Sequence, residues 1–135
     1  MTRKEYLDKA AGMLRHFWDR WDNILVPPLD IRVEDPTGKG VAKVYTAECY
    51  PMGDDGKCRI LMSPRIREAR YAVAVLGHEM IHAADDCISG HGRGFQKIAK
   101  AVGYGKGRLS LPHALKAQNR ITDILHILGE EYPTA

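Results

Sequence analysis

Two histidines four residues apart, with a glutamate directly after the first, form the stretch His78-Glu79-Met80-Ile81-His82. On a helix this spacing puts both imidazoles on one face, where each can offer a nitrogen to a single cation at about 2 Å. Glu79 is rotated about 100° from His78, so its carboxylate stands beside such a cation and not on it, the place of a general base acting on water. The five-residue pattern arises by chance in roughly one of a hundred chains of this composition, so its context must supply the rest.

A catalytic zinc takes three protein donors and keeps a fourth position for water. His91 is the candidate third donor. It follows His82 within Ser89-Gly90-His91-Gly92-Arg93-Gly94-Phe95, where the glycines let the backbone turn sharply and bring the imidazole back. The longer metzincin spacing needs Gly at 85 and His at 88, where this chain has Asp85 and Ile88. A carboxylate donor from a later helix would have to be Glu130 or Glu131, which follow Gly129 and rank below His91. With zinc on His78, His82 and His91, the pKa of bound water falls toward about 7 and Glu79 takes its proton during attack on a peptide carbonyl. Asp85 and Asp86 are available to orient an imidazole, although such a pair more commonly ends a helix or faces solvent. Tyr104, Arg93 and His113 are the candidate oxyanion donors, being near or after the third ligand.

These residues need elements to position them. Thr2 with Glu5 has the form of a capping box, and Tyr6, Ala10, Met13, Leu14, Phe17 and Trp21 recur at helical spacing, which predicts a first helix over about 3–22. Asp30 to Glu34 alternates as a short strand. Val41–Tyr50 and Cys58–Met62 flank the turn Gly53-Asp54-Asp55-Gly56 and predict an antiparallel hairpin, with Ile31–Val33 as a third strand. Ser63-Pro64 is a helix start, and Ile66, Ala69, Val73, Leu76 and Met80 carry that helix through the motif to about Asp86. Phe95, Ile98, Ala99 and Val102 mark a short amphipathic helix closed by Gly103, and a last helix runs from near Pro112 to Gly129. The fold class is α+β: an N-terminal helix, a small three-stranded antiparallel-type sheet, the motif helix and two further helices, in one domain over 1–135.

Composition agrees with one folded unit, since 44% hydrophobic and 27% charged residues are ordinary globular values. Net charge is +3, which tolerates nucleic acid as a partner without demanding it. Gly103-Tyr104-Gly105-Lys106-Gly107-Arg108 interleaves glycine with basic and aromatic residues, a pattern for phosphate contact or, more simply, a helix end and connector. Cys49, Cys58 and Cys87 are odd in number and lack a C-x-x-C spacing, so neither a disulfide framework nor a Cys-rich zinc ribbon is expected. With no apolar leader and no apolar run of membrane length, the expectation is a soluble cytoplasmic monomer.

The hexapeptide His-Glu-Met-Ile-His-Ala at 78–83, the Gly-His-Gly-x-x-Phe element at 90–95 and the run Ile60-Leu61-Met62-Ser63-Pro64 together resemble the SprT-like zinc metallopeptidases, which include the Spartan proteases. The resemblance covers roughly residues 41–104. It implies a minimal zincin fold, Zn2+ on His78, His82 and His91, Glu79 as base, and cleavage of unfolded or DNA-crosslinked protein. The chain differs from the family pattern at Thr46-Ala47, where a glycine is frequent, and at Gly94, where an acidic residue is frequent. Two other classes stand beside this one: a zinc-stabilised DNA-binding or adaptor module without catalysis, and another zinc hydrolase. A deformylase would carry a ligand cysteine in an E-G-C context, whereas this chain reads Glu48-Cys49-Tyr50.

Overall fold

The computed structural model describes residues 1–37, 46–105 and 110–135. Its order is α1 (Arg3–Phe17), a π-helical turn (Trp18–Asp22), β1 (Leu29–Val33), β2 (Ala47–Cys49), β3 (Cys58–Met62), α2 (Ala69–Ala84), α3 (Arg93–Val102) and α4 (Leu115–Leu128). The α+β class is present. Among the described residues no helix is long and apolar enough to cross a membrane.

The capping box forms as the sequence predicts: the Glu5 amide donates to Thr2 Oγ1 (3.1 Å) and the Thr2 amide to Glu5 Oε1 (2.8 Å). The predicted first helix changes character at Trp18. A π turn spends more residues per revolution than an α-helix, so the apolar phase slips. Trp18 becomes 1% exposed while Trp21, expected on the apolar stripe, is 66% exposed. Asn23 then closes the turn in the left-handed region, and the buried Asp22 carboxylate receives Lys116 and Arg120, tying this segment to α4.

The sheet corrects an expectation. Its order is β1-β3-β2; β2 runs antiparallel to β3, as a hairpin should, but β1 lies parallel to β3 with Ile31 opposite Ile60. Alternation within β1 identifies a strand and one buried position, Ile31, without fixing direction, which is set by how the connecting chain returns. The expected Val41–Tyr50 strand is three residues long where described, and Val41 to Tyr45 lie outside the described residues.

α2 starts later than Ser63-Pro64 predicts. Ser63 Oγ accepts from the Arg65 amide in a turn, and the helix begins at Ala69 with Glu68 as N-cap. Most of α2 is buried, on several faces at once, because it packs against α1, β2, β3, α3 and α4. A helix enclosed in this way is a rigid mount for side chains. Close approach to α2 depends on Gly77: a Cβ there would run into the hydroxyl and Cζ of Tyr104, whose hydroxyl donates to the Ala74 carbonyl at 3.1 Å.

Gly77→Ala should therefore destabilise the protein by about 1–3 kcal/mol through overpacking. Gly12→Ala, on the exposed side of α1 with nothing within 4 Å of the added carbon, should stabilise it by about 0.5–1 kcal/mol. Urea unfolding of the two variants beside wild type checks both signs.

Candidate metal centre

His78 and His82 project from α2 one helical turn apart, and His91 comes from the connection to α3. That connection is built to return the third imidazole. Asp86 and Cys87 both take left-handed backbone (φ 52° and 55°), the Cys87 amide donates to the His82 carbonyl, and Gly90 is left-handed again (φ 58°). Asp85 then braces the loop: its Oδ2 accepts from the Ser89 amide (3.0 Å) and hydroxyl (2.6 Å), while Ser89 Oγ accepts from the Phe95 amide (3.0 Å). The Gln96 side chain donates from Nε2 to the His91 carbonyl at 2.9 Å. A side chain at 94 would strike the Asp85 carboxylate, which explains glycine at that position.

Three ring nitrogens meet in this arrangement. Nε2 of His91 lies 3.2 Å from Nε2 of His82 and 3.3 Å from Nε2 of His78. Nitrogens bound to one tetrahedral cation at about 2.05 Å sit about 3.3 Å apart, so the spacing fits a shared metal ion. The tautomer agrees. His78 Nδ1 lies 2.7 Å from the Ser110 carbonyl oxygen, which can only accept, so Nδ1 carries the proton and Nε2 presents its lone pair to the cluster. Burial lowers the His78 pKa, and burial together with the neighbouring imidazoles lowers that of His82 to about 4, so both rings are neutral near pH 7, the form that ligates metal.

Phe95 forms the floor. Fully buried, its ring lies 5.1, 4.5 and 4.9 Å from the rings of His78, His82 and His91. Residues 78, 82 and 91 thus could hold a metal ion, as the sequence places them. Glu79 is 7% exposed and borders the same open cleft, a cavity of about 930 Å³. Burial, with smaller contributions from Cys87 and Glu48, pushes its carboxyl up to about 8. A cation held next to it would offset that penalty.

Other nominated residues fall elsewhere. Tyr104 is buried against α2, and neither Arg93 nor His113 borders the cleft; Glu130 and Glu131 are exposed and also stand apart from it. Asp85 braces the loop through Ser89 and also raises the His82 pKa slightly by its charge, against the lowering by burial. Gly103 is the left-handed C-cap of α3 (φ 87°), the simpler of the two roles considered, and Lys106 to Arg108 lie outside the described residues. Sequence reasoning did not find Ser110, whose contribution is a backbone carbonyl that any residue possesses. It also missed Glu48, Cys49, Tyr71 and Cys87, which line the cleft.

Comparison of the chain with family models, with curated proteins and with solved structures finds no match to any of them.

The buried carboxyl makes a test independent of activity. A folded-state value raised from 4.5 to about 8 means that the folded protein keeps a proton the unfolded chain sheds, so stability falls as pH rises through this range. His82, with its value lowered from 6.5 to about 4, acts in the opposite sense, losing stability as pH falls below 6.5. The difference between metal-stripped wild type and Glu79→Gln isolates the first effect. Chemical unfolding from pH 5 to 8 should show Glu79→Gln gaining on wild type as pH rises, with the gap shrinking when metal is added.

Proposed function

We propose that the chain is a zinc-dependent peptidase in which His78, His82 and His91 hold the metal and Glu79 is the general base. The observation that carries this reading is the convergence of three imidazole nitrogens at 3.2–3.3 Å in an open cleft that also holds a buried glutamate. Three nitrogen donors with one position left open suit zinc in its catalytic form more than in its closed structural form. When bound, zinc supplies Lewis acidity and lowers the pKa of its water to about 7.

The chain's own residues do the remainder. Glu79, raised to about 8 by burial in the metal-free site and drawn down by a neighbouring cation, is poised to change protonation near neutral pH. It takes the proton of the attacking water and returns it to the departing amine. The Ser110 carbonyl holds His78 in the ligating tautomer, and Phe95 keeps bulk water from the underside of all three rings. β2 lines the cleft and stands last in the order of the described strands, an arrangement that suits an extended chain. The resemblance to SprT-like peptidases supports this reading and extends it to unfolded proteins and proteins crosslinked to DNA.

The test measures bound zinc and casein cleavage, with and without single-stranded DNA. Glu79→Gln should keep stoichiometric zinc and lose about 10²–10⁴ of the cleavage rate. His91→Ala should lose both zinc affinity and cleavage. Undiminished cleavage in Glu79→Gln would falsify the mechanism, and unchanged zinc affinity in His91→Ala would remove the third ligand.

A further inference from the structure

Cys49 ends β2, and Cys87 occupies the left-handed turn after α2, 38 residues later. Their sulfurs lie 3.5 Å apart, and the Cys87 sulfur is also 3.7 Å from the Cys49 carbonyl oxygen. Both side chains are half-buried and both border the metal cleft, whereas Cys58 is fully buried and does not. Two thiols from separate elements, in sulfur contact at the edge of a cleft, are a site that the peptidase reading does not use.

We propose that Cys49 and Cys87 form a reversible disulfide that latches β2 to the turn carrying the chain from His82 to His91. The sulfurs need to approach by about 1.5 Å to reach bonding distance, a shift that side-chain rotation and a small movement of strand can supply. β2 is suited to such a movement, being three residues long and at the edge of the sheet among the described residues. The two thiols differ in character. The contact between the two sulfurs lowers the pKa of Cys87, and the same contact together with burial raises that of Cys49, so Cys87 is the attacking sulfur and Cys49 the resolving one.

The oxidant is a small-molecule disulfide. The Cys87 thiolate attacks one of its sulfurs, forming a mixed disulfide and expelling one small thiolate, which takes up a proton. The Cys49 thiol then gives up its proton, its sulfur attacks Cys87 Sγ, and the second small thiol leaves. Two protein thiols are oxidised and one small disulfide is reduced to two thiols. The bond would fix the β2 wall of the cleft to the histidine loop, and a reductant would release it. Formation of the bond requires neither metal nor peptidase activity.

The experiment incubates the full chain with oxidised glutathione, blocks free thiols, and reads intact mass, peptide maps and amide hydrogen exchange. Wild type should lose the mass of two hydrogens, yield a Cys49–Cys87 crosslinked peptide, and slow exchange at 47–50 at least several-fold, all reversed by dithiothreitol. Cys49→Ser should instead trap glutathione on Cys87, and Cys87→Ser should react at least ten-fold more slowly. A persistent glutathione adduct on wild type, a bridge to Cys58, or no reaction overturns the disulfide. A disulfide without slower exchange in β2 overturns the latch.

Discussion

The Nε2 atoms of His78 and His82 lie 3.3 and 3.2 Å from that of His91, and the architecture from α2 to α3 holds the three rings in that contact. His78 and His82 are spaced by the helix itself. His91 is forced back by two consecutive left-handed residues, by the Asp85–Ser89–Phe95 chain of hydrogen bonds and by the left-handed Gly90. Imidazoles gathered on an apolar ring at this spacing match the donor set of a shared cation. A buried carboxyl on the same helix carries a local cost. One positive ion offsets that cost, which is why metal binding makes physical sense of this region.

The remainder of the fold supplies rigidity. α2 is enclosed by α1, β2, β3, α3 and α4, so His78 and His82 are mounted on a helix held from several sides. The Gly77–Tyr104 approach brings the segment after α3 against α2, and the Tyr104–Pro112 bridge carries the chain back to Ser110, whose carbonyl sets the His78 tautomer. Burial thus acts twice: it stabilises the core through its aliphatic contacts and keeps the imidazoles neutral.

Much of the candidate metal centre is legible because its chemistry is local in sequence. The four-residue spacing of His78 and His82 needs only helical geometry, and His91 was marked by the glycines around it. What was not legible depends on longer-range pairing. Ser110 acts through a carbonyl 32 residues from its partner, and the Cys49–Cys87 contact joins residues whose spacing matches no short motif. Alternation identified β1 as a strand but could not say that it pairs parallel to β3. The apolar period likewise could not anticipate the π turn that buries Trp18 and exposes Trp21, since both tryptophans suit a continuous helix until the phase slips. The spacing of Asp85 to Ser89 allows one carboxylate oxygen to satisfy both an amide and a hydroxyl, a bracing role that the acidic pair at 85–86 does not announce in sequence.

The most direct test of a shared cation is anomalous diffraction at the zinc edge, using crystals of the full chain grown with zinc. One strong peak is expected about 2.0–2.1 Å from Nε2 of each of His78, His82 and His91, with His78 Nδ1 still on the Ser110 carbonyl. A peak at other residues, or none among the three rings while they keep their positions, would contradict it.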